Sequence, residues 1–225
     1  MCCFLLTTIL DSTATGEWDD LASGYANGFY QLLWPKVTTL LEGGDDVPNA
    51  VVVDFGCGTG LLSAKLRSKV ASIHAMDVSP KMIDMLQEKI QSQEWTNVQA
   101  YTVILGLFEK DDDGGQDVAA SVQQQIRALY GTVDVIVASS VLTFIPDEDV
   151  PDTMRILGKL LKPGGLLIHS DWPKSEAKHP DAMDTEKAER MYGLAGLRAE
   201  SMQICALPSC EEVEVFFGVA QKPAS

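Results

Sequence analysis

The sequence predicts an α/β fold with a doubly wound, mostly parallel sheet, and three observations carry that reading. Val51-Val52-Val53-Asp54-Phe55 is an unbroken apolar run with three β-branched residues, the composition of a strand covered on both faces. Gly56-Cys57-Gly58-Thr59-Gly60 follows at once, and Leu61-Leu62-Ser63-Ala64 then opens a helix, so strand, glycine turn and helix are contiguous. Downstream, short apolar runs alternate with segments of helical spacing as far as the C-terminus. Glycines at every second position leave no Cβ in the way of a ligand, and a nucleotide-like molecule is the natural guest of such a turn.

Length and composition set the frame. A chain of 225 residues, 46% hydrophobic, is long enough for one substantial core, so a single domain over 1–225 is expected, with 1–45 as an N-terminal arm. Its 17 basic and 32 acidic residues give a net charge of −15, which opposes binding to a phosphate backbone and argues against nucleic acid as partner or substrate. Cys2, Cys3, Cys57, Cys205 and Cys210 show neither zinc-ligand spacing nor an even disulfide framework, which fits free thiols in a reducing, cytoplasmic setting. Residues 1–10 are apolar but lack a positive leading segment and are far shorter than the ~20 residues that span a bilayer, so no membrane anchor is expected. An arm covering the body or a second subunit, as in a homodimer, is the preferred reading of that stretch.

Taken in order, residues 11–16 read as a loop leading into Glu17–Tyr25 and an apolar helical segment, Phe29 to Leu41, which Gly43-Gly44-Asp45-Asp46-Val47-Pro48 ends. After the first strand and its turn comes a helix from Leu61 to Lys69, then a second strand, Ser72-Ile73-His74-Ala75-Met76, ending at Asp77. A carboxylate there accepts hydrogen bonds from ribose hydroxyls in doubly wound nucleotide folds. Ser79-Pro80 supplies a hydroxyl cap and a first-turn proline, and Met82, Ile83, Leu86 and Ile90 recur at helical spacing. Asn97 to Leu105 reads as the third strand. The aspartates at 111–113 lack the alternating ligand spacing of a calcium loop, so a solvated turn is expected and no metal. Val118, Val122, Ile126 and Leu129 mark a helix, and Val133–Ala138 a buried strand. Ser139 to Phe144 lies at its C-terminal end, where open parallel sheets bind ligands. A helix over Asp152–Leu161, a Pro163-Gly164-Gly165 turn and a strand Leu166–His169 follow. Residues 173–182 are polar and proline-bounded, suited to a mobile cover over a substrate. Glu186 to Leu197 is helical in pattern, and 201–207 and 213–220 are apolar. A nicotinamide dinucleotide is disfavoured, because the glycine expected three residues after Gly58 is Leu61.

Four ordered motifs, Asp54-Phe55-Gly56-Cys57-Gly58-Thr59-Gly60, Asp77-Val78-Ser79-Pro80-Lys81-Met82, Val133–Ser140 and Leu161-Lys162-Pro163-Gly164-Gly165, resemble those of class I S-adenosylmethionine-dependent methyltransferases over roughly residues 15 to 220. The resemblance implies a Rossmann-like, seven-stranded sheet with an antiparallel C-terminal edge strand, S-adenosylmethionine as cofactor and methylation of a small molecule. It implies cofactor contacts at Asp54, Gly56, Cys57, Gly58, Gly60, Asp77, Val78, Met82 and Ser139, with Asp54 organising the cradle near the ammonium and Met82 touching the adenosine. Trp18, Asp19, Ala22 and Tyr25 resemble the family's roof over the cofactor, although Ala26 stands where an aspartate is usual. Val103-Ile104-Leu105-Gly106 replaces the acidic or polar residue that many members place against the adenine amine. Protein methylation is a second reading, and a non-catalytic cofactor-binding partner or sensor a third.

Methyl transfer is an in-line displacement that needs alignment first and a base only for some acceptors. His169 and Asp171 are the candidates for proton removal or substrate orientation, since the end of a central strand brings them near the pocket and strand alternation puts both on one side. The structural alternative is a satisfied interior histidine and a capping aspartate. Trp18, Tyr25, Phe144 and Trp172 are candidates for a substrate lining, because aromatic faces attract a sulfonium or ammonium; ordinary core packing is the competing role.

Overall fold

The computed structural model of the chain describes residues 15–40, 47–108, 120–175, 181–208 and 210–224. In order these form α1 (Thr15–Leu40), β1 (Val47–Phe55), α2 (Leu61–Leu66), β2 (Val70–Asp77), α3 (Pro80–Ser92), β3 (Val98–Thr102), α4 (Ala120–Ala128), β4 (Val133–Ser139), α5 (Val150–Leu160), β5 (Leu161–Asp171), α6 (Thr185–Ala195), β6 (Arg198–Leu207) and β7 (Cys210–Gln221). Single 3-10 turns occupy Leu105–Leu107 and Leu142–Phe144. The N-terminal arm over 1–10, the aspartates at 111–113 and Val118 lie outside the described residues.

Seven strands form one sheet in the order β3-β2-β1-β4-β5-β7-β6. The β1–β2, β1–β4, β2–β3 and β4–β5 pairs are parallel, and β7 runs antiparallel to both β5 and β6. Chain order reverses between β1 and β4, which opens a crevice beyond their C-terminal ends. Helices cover both faces, and the central strands are accordingly buried: every residue of β4 from Val133 to Ala138 is inaccessible or nearly so. On one face Val52, Val135, Val137, Leu166 and Ile168 pack under Phe29, Leu33 and Val37 of α1, Leu62 and Leu66 of α2, and Ile83 and Leu86 of α3. On the other, Val53, Phe55, Ile136, Ala138 and Leu167 meet Ile126 of α4, Met154 and Leu157 of α5, and Met191 and Tyr192 of α6. Each fully buried Leu or Ile in these layers contributes about 1.5–3 kcal/mol relative to exposure.

Several elements differ from the sequence reading; the second helix ends at Leu66 and the third strand at Thr102. Instead of a loop and a separate apolar segment, α1 is continuous from Thr15 and passes through Pro35, its inner stripe of Phe29, Leu33 and Val37 spaced by four. The Pro163-Gly164-Gly165 turn lies inside β5, whose pairing with β4 shifts register between Val133 and Val135; Gly164, at φ +79°, makes that irregularity possible. Helix α6 begins at Thr185, since the Asp184 carboxylate accepts the Lys187 N–H at 2.8 Å, and ends at Gly196 with φ +69°. Residues 176–180 of the expected cover over 173–182 lie outside the described residues; at its two ends Pro173 pairs with Met183, and the Met183 N–H reaches the Trp172 carbonyl at 2.9 Å. Among the described residues no helix is long and apolar enough to cross a membrane.

Candidate active site

The glycine turn sits where β1 ends. Gly56 and Cys57 both donate their N–H to the Met76 carbonyl, at 2.8 and 3.0 Å, which fastens the turn to β2. Gly56, Gly58 and Gly60 all have positive φ, at 71°, 52° and 76°. A Cβ on Gly56 would lie 2.6 Å from Val141, and one on Gly60 would lie 2.4 Å from the end of the Leu86 side chain; with the positive φ, both positions favour glycine. Around Gly58 the same construction meets nothing within 4 Å. The middle glycine therefore opens onto free space, as a ligand cradle requires.

Two carboxylates flank the turn. Asp77, half-buried at the end of β2, accepts the Gly58 N–H on Oδ2 and the Ser79 N–H on Oδ1, each at 2.9 Å. Each oxygen keeps a second lone pair, so the group still has acceptors for two hydroxyls. Asp54 is 2% exposed and accepts the Ser63 hydroxyl at 2.5 Å. Burial pushes its carboxyl up to about 6, the Ser63 hydrogen bonds opposing and the nearby Asp77 charge adding to the rise. Cys57 is buried within the turn, and burial together with the Asp54 and Asp77 charges holds its thiol far above the usual range. It is a small packing residue and not a thiolate nucleophile. From α3, Lys89 Nζ reaches the Thr59 carbonyl at 2.9 Å and pins the turn's far side.

Beyond Asp77, Val78 is 60% exposed, and Met82, half-buried, follows the Ser79 cap that accepts its N–H. Ser139 is half-buried at the end of β4. Ser140 takes the left-handed φ of 55° and donates its N–H to the Ser170 carbonyl at 2.7 Å, while Val141 fills the space left by the missing Cβ of Gly56. A non-glycine residue at such a φ costs about 1 kcal/mol or more, here held by the β4–β5 pairing. The turn after β4 is thereby locked to the glycine turn after β1.

His169 and Asp171 share one side of β5, as strand alternation expects, and both are 0% exposed. Asp171 Oδ1 accepts the Thr143 N–H at 3.0 Å, Oδ2 lies 2.7 Å from His169 Nδ1, and His169 Nε2 lies 2.7 Å from the Tyr192 hydroxyl. A carboxylate only accepts, so Nδ1 is the donor towards Asp171, and Nε2 pairs with the Tyr192 hydroxyl; every group in the chain has a partner. Burial, with the Asp171 charge adding, pushes the Tyr192 hydroxyl far up. Both ring nitrogens of His169 are engaged, and neither His169 nor Asp171 has exposed surface. The sequence placed the pair near the pocket at the end of a central strand, and the structure buries both side chains there.

Phe144 and Trp172 are half-buried near the ends of β4 and β5. Positions 18 and 25 lie on α1, but the Trp18 and Tyr25 side chains are outside the described set. The sequence reading singled out none of Ser63, Lys89, Tyr192 and Gly218, and held Thr143 only as part of the Ser139–Phe144 segment. Ser63 had a signal, a hydroxyl on the buried Leu62–Leu66 face of a short helix, where a polar group needs a partner. Gly218 had none: a Cβ there would meet the Tyr192 hydroxyl at 2.2 Å and His169 Nε2 at 2.4 Å, contacts made only by the folded chain. Among the described residues no group of three or more His, Cys, Asp or Glu is arranged to hold a metal ion.

A seven-stranded sheet with β7 reversed, a glycine turn after β1 and a carboxylate after β2 together describe a class, and residues 27–215 match the model of the methyltransferase domain family. The chain belongs to that family. It is 29% identical over 141 residues to an uncharacterized methyltransferase of Schizosaccharomyces pombe, covering 59% of this chain and 45% of the relative. Against a ubiquinone biosynthesis O-methyltransferase of Xanthomonas oryzae it is 26% identical over 133 residues, 59% of this chain and 47% of the other. The chain thus spans about half the length of the curated relatives it matches. Among solved structures, magnesium protoporphyrin IX methyltransferase from Synechocystis, crystallised with S-adenosylmethionine, superposes with a TM-score of 0.61 at 20% identity, covering 94% of this chain and 86% of that one. The N-methyltransferase NodS from Bradyrhizobium japonicum, in complex with S-adenosylhomocysteine, gives 0.62 at 16% identity, covering 95% and 94%. At these identities the likeness is one of fold. The donor set fits S-adenosylmethionine: open space above Gly58, spare acceptors on Asp77 for a ribose, and a buried carboxyl at Asp54 under the turn.

Proposed function

We propose that this chain transfers the methyl group of S-adenosylmethionine to a small-molecule acceptor and releases S-adenosylhomocysteine. The observation that carries this reading is the cradle itself, a methyltransferase-domain glycine turn open only over Gly58 and bordered by the Asp77 carboxylate. When bound, the cofactor supplies an electrophilic methyl on a sulfonium, whose carbon–sulfur electrons stay with sulfur as the acceptor's lone pair takes the methyl. The protein's part is to bind and align. Gly56, Gly58 and Gly60 bring backbone close to the methionine portion, Asp54 favours its ammonium, Asp77 accepts from the ribose, and Val78, Met82 and Ser139 border the nucleoside side. Phe144 and Trp172, half-buried near the ends of β4 and β5, line the acceptor side, where aromatic faces favour the cationic character that develops during transfer. His169 and Asp171 act as positioning residues from behind that wall.

A small acceptor is supported by the related proteins, two of which are named for ubiquinone biosynthesis and for magnesium protoporphyrin IX, and by a net charge of −15 that repels nucleic acid. Incubating the protein with S-adenosylmethionine labelled in the methyl group and a fractionated small-molecule extract tests the reading. One labelled small product is the expected result. Label on protein alone would move the assignment to protein methylation, and cofactor binding without any labelled product would make the chain a binding partner or sensor.

A further inference from the structure

The Thr143 hydroxyl stands apart in this chain: among the described residues it is the buried side-chain polar atom without a hydrogen-bond partner. A buried hydroxyl left unpaired costs about 1–3 kcal/mol, so it calls for an explanation. Its setting supplies one. Thr143 lies on the Leu142–Phe144 turn that follows β4, one of the two strands between which the sheet's order reverses, and next to the Ser139–Val141 segment that locks onto the glycine turn. Its own N–H is held at 3.0 Å by Asp171, and Asp171 by His169 and Tyr192, all at 0–1% exposure. Three buried polar side chains on β5 and α6 therefore converge on one backbone amide, with Gly218 leaving room for the Tyr192–His169 contact.

We propose that the Thr143 hydroxyl is the group that orients the methyl acceptor by a hydrogen bond, and that Asp171, His169 and Tyr192 form a buried relay that fixes the Thr143 backbone for that task. The inference rests on the small-molecule transfer reading and names the specificity-determining contact within it. An acceptor suited to this site carries a hydroxyl, amine or other hydrogen-bonding heteroatom at or beside its nucleophile. Thr143 both donates and accepts, so it holds a neutral nucleophile's N–H or O–H while leaving the attacking lone pair free. The Tyr192–His169–Asp171 chain removes no proton from the acceptor. It keeps the turn from rotating, because releasing the Thr143 amide would strand a buried carboxylate lone pair and, behind it, an imidazole.

The test compares wild type with Thr143→Val, Thr143→Ser and Tyr192→Phe in the labelled-methyl assay with the extract, alongside S-adenosylhomocysteine titration and melting temperature. Valine copies the shape of threonine without the hydroxyl. For Thr143→Val the expected results are turnover lower by roughly ten- to hundredfold, unchanged S-adenosylhomocysteine affinity and an unchanged or higher melting temperature. Thr143→Ser restores turnover. Tyr192→Phe lowers turnover per folded molecule, counted by its S-adenosylhomocysteine binding stoichiometry, so loss of folded protein does not account for the drop. Full turnover by Thr143→Val, or a drop in its melting temperature with turnover intact, overturns the proposal by making the hydroxyl structural. A wild type that binds S-adenosylhomocysteine but labels no small molecule refutes the transfer reading first, and the acceptor contact falls with it.

Discussion

Asp54 illustrates how far one residue's environment decides its role. The sequence marks it as the last polar group before the glycine turn, and the fold adds what spacing does not carry, burial to 2% exposure and a 2.5 Å bond from Ser63. Its carboxyl rises from 3.8 to about 6, so within that window the folded state holds a proton that the unfolded chain releases. Stability from this group therefore falls as pH rises through the window. A cofactor ammonium beside it favours the ionised form and reverses the trend. The stabilisation that S-adenosylhomocysteine gives in a thermal-shift experiment is expected to grow from about pH 5 to about pH 7, and Asp54→Asn to flatten that growth. A pH-independent shift in wild type would detach Asp54 from the ammonium. His169 shows the opposite limit. Alternation along β5 was enough to put it beside Asp171, but depth came from Tyr192, 23 residues away on another element, and no local pattern in the sequence announces such a contact.

At the scale of elements, what was legible followed from local physics. β1 and β4 read correctly because strands covered on both faces need no alternation, and α3 because Ser79-Pro80 is a local start signal. The bulge within β5 and the full reach of α1 were not legible, since both depend on what the chain packs against. Helix–helix contact gives a sharper case at Gly158 in α5. By propensity alone, Gly158→Ala should stabilise a helix interior by about 1 kcal/mol. Its Cβ, however, would lie 2.0 Å from the Ala195 carbonyl oxygen of α6, a backbone atom that has no rotamer to turn away. Overpacking of this kind costs about 1–3 kcal/mol, so the melting temperature is expected to fall. A rise would mean that α5 and α6 are not in contact there.

Across the whole molecule, the arrangement β3-β2-β1-β4-β5-β7-β6 turns separate motifs into one site: β1 brings the glycines, β2 brings Asp77, and β4 with β5 builds the opposite wall. The glycine turn and the strand-end carboxylate were legible in the sequence, because both are local features. The grouping of Thr143, Asp171, His169, Tyr192 and Gly218 was not, because these residues come together only through tertiary packing. Titration with S-adenosylhomocysteine of wild type and Gly58→Ala tests the central claim most directly. A methyl at position 58 touches no protein atom within 4 Å and costs about 1–2 kcal/mol of backbone strain, so the fold survives while the open space over the turn is filled. The account predicts saturable binding by wild type and binding roughly tenfold or more weaker for a still folded Gly58→Ala. No binding by wild type, or equal affinity in the two, would contradict it.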